Sequence, residues 1–382
     1  MNFFKIFSSM STKSKENNFC FFILFLTIYS IFIFPLRSFA LDLSVRGNSL
    51  FAGFVGRNNY FTLSLRNLEL SASGSSGFFF AKAQLDIVPQ NLYFFTGAVT
   101  NESPVMGSFL GEASGPEEFF RVKELFVSTR GFPFFRFTIG RFYGAIGDSN
   151  SRQFFDRFFV ERPFAIRKFF GQDGFLDEGI EISLFPPLPW TLEILGQIFD
   201  GSEISFGGKG SYEFAGLFSI KNVFGEEKVG GGFSLFWAFG KNASSDRLKG
   251  GSTIISDNFT DFFGGDAFFA FRPFFYTNIG YIIRRMQEPS LLIVEGGIFS
   301  EIQIAPSDIF YASLRPEIFG IPRLVEYEGG GSKTLPQIFE ISIAGTLLPS
   351  RDIKFRLQWT GNFSEGSGPQ NIFYLQAIFE IR

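Results

Sequence analysis

The segment Arg351–Thr360 reads R-D-I-K-F-R-L-Q-W-T. Ile353, Phe355, Leu357 and Trp359 are apolar, and Lys354, Arg356, Gln358 and Thr360 between them are polar or charged. Successive side chains of an extended chain point to opposite faces, so this segment has one apolar face and one polar face. The period recurs at residues 81–87, where Ala81, Ala83, Leu85 and Ile87 alternate with Lys82, Gln84 and Asp86. It recurs again where Ile180, Ile182 and Leu184 enclose Glu181 and Ser183. Helical periodicity is almost absent. A soluble sandwich would turn the apolar faces inward. A chain that also carries an export signal points instead to an all-β fold, a transmembrane antiparallel β-barrel with apolar faces on lipid and charged faces on a wet interior.

Residues 1–40 have the layout of a secretory signal peptide. Lys5, Lys13 and Lys15 give a positive start, Phe19–Phe34 is a run of 16 apolar or weakly polar residues, and Ser38-Phe39-Ala40 offers a small-x-small cleavage site. The run is short beside the about 20 residues of a membrane-spanning helix. An uncleaved membrane anchor is the alternative. Cleavage would remove Cys20, the lone cysteine, and with it any disulfide or thiolate metal site. The remainder, 41–382, would be the barrel, located in the cell outer membrane.

Phenylalanine accounts for 60 of 382 residues. Codon bias in an AT-rich genome can supply that much Phe, but only a lipid-facing surface tolerates it at outward positions. The net charge of −3 argues against nucleic acid, whose phosphates require clustered Lys and Arg.

The alternation gives strands at 60–73, 78–88, 91–100, 119–130, 133–143, 177–185, 190–200, 211–223, 228–239, 262–271, 274–286, 290–301, 308–319, 337–348, 352–361 and 371–381. That is about 16, within a range of 14–18, because 41–59 is apolar enough to be a further strand. Residues 186–189, P-P-L-P, read as a turn, because proline fixes φ and cannot donate to a ladder. If the C-terminus is periplasmic, the long connections 101–118, 144–176, 201–210, 240–261, 320–336 and 362–370 all fall outside. The short turns, including 89–90, 131–132, 186–189 and 349–351, then fall inside, the asymmetry expected of outer-membrane barrels. Lys82, Asp86, Glu181, Glu193, Lys354 and Arg356 are expected on the lumen wall.

The connection 144–176 differs from a solvated loop. Arg152, Arg157, Arg162 and Arg167 recur every five residues, Lys168 follows, and Asp156, Glu161 and Asp173 are interspersed. The same stretch is rich in Phe, which has to pack against something. Folding into the lumen would satisfy the Phe and create a charged constriction of Arg152, Asp156, Arg157, Glu161, Arg162, Arg167 and Lys168. An external cap tied by Arg–carboxylate pairs is the alternative.

Residues 137–147 (F-T-I-G-R-F-Y-G-A-I-G), 159–164 (F-V-E-R-P-F) and 167–180 (R-K-F-F-G-Q-D-G-F-L-D-E-G-I) together resemble a family of porin-like outer-membrane proteins of Gram-negative bacteria, similar to phosphate-selective porins. Arg141, Phe142, Glu161, Arg162, Pro163, Gly171, Gly174, Asp177 and Gly179 carry the match, over about 75 residues. Some members are labelled TonB-dependent receptors, but this chain has no room for their plug. It departs from the family in having no His and in ending Ile381-Arg382, where an aromatic is usual; Phe379 would stand in as the barrel-assembly signal. The resemblance implies outer-membrane lipid, lipopolysaccharide and the barrel-assembly machinery as partners, small hydrophilic solutes as cargo, and leaves a homotrimer open.

With no His, Ser–His and Cys–His nucleophile pairs and His-based zinc sites are excluded, so no enzyme, metal or cofactor is expected. Glu117-Glu118 and Asp177-Glu178 read as loop charges. Three readings stay open: a water-filled pore, a filled barrel serving as structural protein, adhesin or receptor, and a channel for hydrophobic substrates. The charged inward positions favour the first.

Overall fold

The computed structural model describes residues 40–55, 60–76, 78–87, 120–152, 156–171, 173–201, 212–225, 228–242, 259–288, 291–327, 330–366 and 368–381. Its strands are β1 (Ala40–Val55), β2 (Tyr60–Ser76), β3 (Phe79–Ile87), β4 (Phe120–Thr129), β5 (Phe135–Tyr143), β6 (Leu176–Leu184), β7 (Thr191–Phe199), β8 (Tyr212–Gly225), β9 (Val229–Asn242), β10 (Phe259–Phe271), β11 (Phe275–Glu288), β12 (Leu291–Ser307), β13 (Phe310–Tyr327), β14 (Ser332–Thr334), β15 (Ile338–Ser350), β16 (Ile353–Ser364) and β17 (Gln370–Ile381). Two short helices, α1 (Asp148–Ser151) and α2 (Phe164–Phe170), lie between β5 and β6. Each long strand pairs antiparallel with its neighbours in sequence, and β1 pairs with both β2 and β17. The result is a closed ring of sixteen long strands, with the three-residue β14 attached to the end of β13. No described helix is long and apolar enough to cross a membrane, which says nothing against crossing by strands.

The strand count is the expected one, but its membership differs. Residues 40–55, left outside the sequence count, form β1 and close the ring, with Val45 opposite Ile381 and Val55 opposite Asn371. The expected strand at 91–100 and turn at 89–90 lie outside the described residues. β3 pairs directly with β4, Ile87 opposite Phe120, so the ring closes without a strand between them. One barrel end carries the short turns 77–78, 130–134, 185–190, 226–228, 272–274, 308–309 and 351–352. The other carries the long connections, with two-residue 289–290 as an exception.

Alternation works as a lipid–lumen code. On β16, Phe355 and Leu357 are exposed, whereas Arg356, Gln358 and Thr360 are buried. On β17, Phe373, Leu375, Phe379 and Ile381 are exposed, and Gln376 and Glu380 are buried. This is the reverse of a soluble protein and suits a surface facing hydrocarbon.

One irregularity falls on the lipid face. Glu295 pairs with Arg323 and Gly297 with Phe319, so Gly320, Ile321 and Pro322 together oppose Gly296. Pro322 cannot donate to the ladder, and the bulge absorbs it. The Tyr281 hydroxyl, on the outward face of β11 with exposed Ile279, donates to the Ile321 carbonyl at 3.2 Å. An unmatched carbonyl in hydrocarbon costs several kcal/mol. Tyr281→Phe is therefore expected to destabilise the barrel by about 1–3 kcal/mol, measured as a lowered urea midpoint in lipid vesicles. An unchanged midpoint would show that the bulge needs no donor.

Candidate functional site

Residues 144–175 connect β5 to β6, and their base is closed by hydrogen bonds. The Gly144 amide donates to the Phe175 carbonyl at 2.9 Å. Asn150, fully buried, donates through Nδ2 to the carbonyls of Gly144 (2.8 Å) and Phe175 (3.2 Å), and its Oδ1 accepts the Phe175 amide (2.8 Å). One side chain thus stands in for a short length of strand. Gly174 has φ +79°, and a Cβ there would lie 2.2 Å from Asn150 Oδ1, so the position excludes a side chain twice over. Asp177, also fully buried, accepts the Glu178 and Gly201 amides at 2.8 Å and ties the start of β6 to the end of β7.

From this base the loop crosses the lumen. Its neck sits on β5 and β6, and its partners lie on β10–β13, β15 and β16, across the ring. The Asp148 amide donates to Asp266 on β10 (2.7 Å), and the Ser149 hydroxyl to Glu301 on β12 (3.1 Å). Arg152 reaches Glu301 (3.4 Å) and is bonded to Asp148 and the Tyr276 hydroxyl. The stretch 157–164 is stitched through its backbone. The wall arginines Arg356 and Arg315 donate to the carbonyls of Arg157 and Glu161. The wall acceptors Gln358 and Glu317 take the amides of Val160 and Phe164. Arg167 pairs with Glu340 on β15 at 2.8 Å. Apart from the partly buried Tyr276, these wall groups are buried on inward strand positions. These contacts place the described part of the loop against the inner wall.

The Phe-rich part of the loop is accounted for by an apolar sector of the lumen. Ala165, Ile166, Phe169 and Phe170 form the buried face of α2. They pack with inward residues Leu195, Phe199, Ala215, Leu217, Phe236, Ala238, Phe262, Ile282, Phe299 and Phe319 from β7 to β13. Phe169 lies 5.6 Å from Phe262 and 5.5 Å from Phe319, and Phe170 stacks on Phe175 at 5.4 Å. Fully burying one such ring stabilises by about 1.5–3 kcal/mol. The sequence reading found no apolar lumen; the structure has one over these strands, and α2 fills it.

The opposite sector, β17 and β1–β7, is charged. Arg46 lies 2.8 Å from Glu380 and 3.6 Å from Glu69. Lys123 lies 2.7 Å from Asp86 and 3.8 Å from Asp173 of the loop, and Lys82 pairs with Glu124. Arg136 bridges Glu181 (3.3 Å) and Glu193 (2.6 Å). Cations and anions alternate, so no block of one sign forms.

The expected constriction residues separate into two groups. Asp156 and Lys168 are exposed, and Arg157 is partly so. Arg162 is 1% exposed and donates inside the loop to the carbonyls of Ser149 (2.5 Å) and Asn150. Glu161 is buried beneath Arg315. The five-residue spacing of arginines has a backbone origin: Arg157 Nε donates to the Arg152 carbonyl (3.1 Å), and Arg167 Nε to the Arg162 carbonyl (2.9 Å). Burial penalises the Arg167 charge, but Glu340, then Glu161 and Glu317, outweigh it and raise its pKa. Burial likewise opposes the charge on Asp148, yet neighbouring Arg152 holds its carboxyl below the usual range. Of the expected wall residues, Asp86, Glu181 and Arg356 are buried inward, while Lys82, Glu193 and Lys354 are partly exposed. Asn150, Arg315, Glu317, Glu340 and Gln358 were not singled out from sequence as site residues. The inward alternation of the last four was visible, but what they would meet was not, and Asn150, in α1, carried no such signal.

No protein-family model matches the chain. Over 91 residues it is 30% identical to an uncharacterised protein of Aquifex aeolicus strain VF5, a match covering 23% of this chain and 19% of that protein. The chain thus spans less than a fifth of that relative's length in the match. Its fold is that of solved outer-membrane porins. The in-vitro folded trimer form of OmpT, an outer-membrane protein of Vibrio cholerae, superposes with TM-score 0.57 at 8% identity, covering 90% of this chain and 100% of that one. An anion-selective porin from Comamonas acidovorans gives 0.57 at 11%, covering 90% and 100%. OprB of Pseudomonas putida at high pH gives 0.60 at 9%, covering 89% and 94%.

If Arg162 holds the loop rather than presenting charge, Arg162→Met leaves two buried carbonyls short of a donor, a loss of about 1–3 kcal/mol each. The expected result is a folded barrel newly cut by protease within 144–175. Resistance equal to that of the parent would show that Arg162 does not hold the loop.

Proposed function

We propose that this chain is an outer-membrane channel through which small hydrophilic solutes diffuse passively, with residues 144–175 as its constriction. The observation that carries the reading is the loop fixed across the lumen by wall side chains. It fills the apolar sector and faces the charged one. The transit path runs between the loop edge, bearing Asp156 and Arg157, and the wall of β17 and β1–β4. Barrels of this strand number are wide enough to hold water. The similarity to proteins described as porins supports the same reading at the level of fold.

The path's charges are paired and of both signs, which favours weak ion selectivity rather than the anion preference that the loop arginines alone would suggest. On this reading residues 1–40 are the cleaved export signal, and lipopolysaccharide and the barrel-assembly machinery are the encountered partners. A homotrimer fits the outward face of β2–β4, where Ala72, Gly74, Ala81 and Ala83 make a smooth wall, and one of the similar structures is a trimer form. The second reading, a filled structural barrel, is favoured by one feature, the apolar packing of α2 inside the lumen.

Recording single channels in planar bilayers under a salt gradient separates the two. Stable conductance steps support the pore, and a folded but silent barrel supports the filled reading. In the open case, Arg157→Gln is expected to shift the permeability ratio toward cations by roughly twofold, and Asp156→Asn toward anions by a similar factor. Arg162→Lys, which keeps the charge in the loop interior, should leave the ratio unchanged. Equal responses at all three positions would overturn the assigned path.

A further inference from the structure

Three neighbouring turns at the short-turn end differ from the rest. The Arg130 amide donates to the Phe78 carbonyl at 2.6 Å, and the Phe185 amide to the Phe134 carbonyl at 2.8 Å. Such cross-bonds run all round this end, the Arg272 amide donating to the Lys228 carbonyl and the Glu380 amide to the Asp352 carbonyl, both at 2.8 Å; here they join Phe78 and the turns 130–134 and 185–190 into one platform that differs in what it exposes. Gly131 lets it close, because a Cβ there would fall 1.5 Å from a Phe78 ring atom. Phe132 lies 6.1 Å from Phe78 and 4.8 Å from Phe135. The platform nevertheless exposes Phe78 (59%), Phe132, Phe134 (58%), Leu188 and Trp190, together with Pro133, Pro187 and Pro189.

The remaining turns at this end carry charge: Lys228 in 226–228, Arg272 beside Phe274, Asp308 beside Ile309, and Arg351-Asp352. Residues 131–135 and 185–190 hold no charged side chain. Water is a poor environment for so many clustered apolar groups on a rigid, proline-set surface. The platform is continuous with the exposed apolar belt above it, Phe79 on β3, Ile139 on β5, and Ile182 and Leu184 on β6. At its inner rim the exposed Arg130 guanidinium lies over the lumen-facing Phe80 ring, 3.8 Å from its centre, and so turns away from the apolar belt. A phospholipid monolayer offers the matching environment, an acyl boundary for the rings and an interfacial layer for Trp190.

We infer that Phe78 and the turns 130–134 and 185–190 form a lipid-inserted foot, seated in the headgroup and upper acyl region of a phospholipid leaflet, while the charged turns on the other side of the barrel stay in water. The foot fixes how deeply this sector of the barrel sits. The inference rests on the barrel spanning a membrane and is independent of whether its lumen conducts.

The chain has three tryptophans, Trp190 in the foot and Trp237 and Trp359 on the outward faces of β9 and β16. Three variants, each keeping one Trp with the other two changed to Phe, are refolded into phosphatidylcholine vesicles containing lipid brominated near the glycerol end. Aqueous iodide is the opposing quencher. The expected result is lipid quenching of all three, with Trp190 at least about twofold less sensitive to iodide than free tryptophan. Trp190 quenched by iodide but not by lipid, with Trp237 and Trp359 quenched by lipid, would overturn the foot alone. Trp190 quenched by neither would place protein, such as a second copy, over the platform and overturn it too. Failure of all three to respond to lipid would overturn the membrane barrel itself. Phe132→Ser/Phe134→Ser/Leu188→Ser, in the Trp190-only chain, should raise iodide quenching about twofold with folding retained. No change on folded protein would show that these side chains do not seat the foot.

Discussion

Every strand of this barrel depends on the pairing of β1 with β17. In hydrocarbon there is no water to bond an unpaired amide or carbonyl, so an open sheet would leave two rows of unmatched groups at several kcal/mol each. Closure removes both edges together. Once the ring exists, lipid covers its outside, and the inside must be filled with something that can lie against charged and polar side chains. The bulge at Gly320–Pro322 makes the point locally. Where the ladder breaks on the lipid side, the Tyr281 hydroxyl supplies the missing donor.

The inside is filled in two different ways. Over β7–β13 the lumen has an apolar lining and α2 packs on it as a helix packs on a sheet in a soluble protein. Over β12–β16 buried arginines and carboxylates hold the extended part of the loop. Arg315 lies 2.6 Å from Glu317 and 3.6 Å from Glu301, and is buried with both. Buried ion pairs contribute little net stability, because desolvation offsets much of the attraction, but removing one partner costs about 3–5 kcal/mol. The polar half therefore fixes where the loop runs, and the apolar half supplies the energy of docking.

These two modes explain what the sequence could reveal. β16 alternates cleanly, I-K-F-R-L-Q-W-T, because lipid and a polar lumen demand opposite residues, and its faces were legible. β9 reads L-F-W-A-F over 235–239, apolar on both faces, because lipid lies outside and α2 inside. Where both environments are apolar the period-2 signal vanishes, so the apolar sector stayed hidden. The loop's Phe content was readable as a demand for an apolar partner. The duties of its arginines were not, since Arg157 and Arg162 have the same chemistry and differ only in which carbonyls they meet. Strand β1 was passed over because counting from the C-terminus already gave sixteen, with a stretch at 91–100 in its place.

The stitching of residues 157–164 constrains how such a barrel can vary. Wall side chains grip this stretch by its own backbone: carbonyls at 157 and 161, amides at 160 and 164. Backbone groups are present whatever the residue, provided that it is not proline at a donating position. The course of the loop across the lumen is thus set by β13 and β16 and by the base at Asn150. Asp156, exposed on its open edge, is left out of that task. A change there can retune the charge of the lumen without moving the loop. Changes at Arg315, Arg356, Gln358 or Glu317, on strands far away in sequence, would move the loop while leaving its own residues untouched.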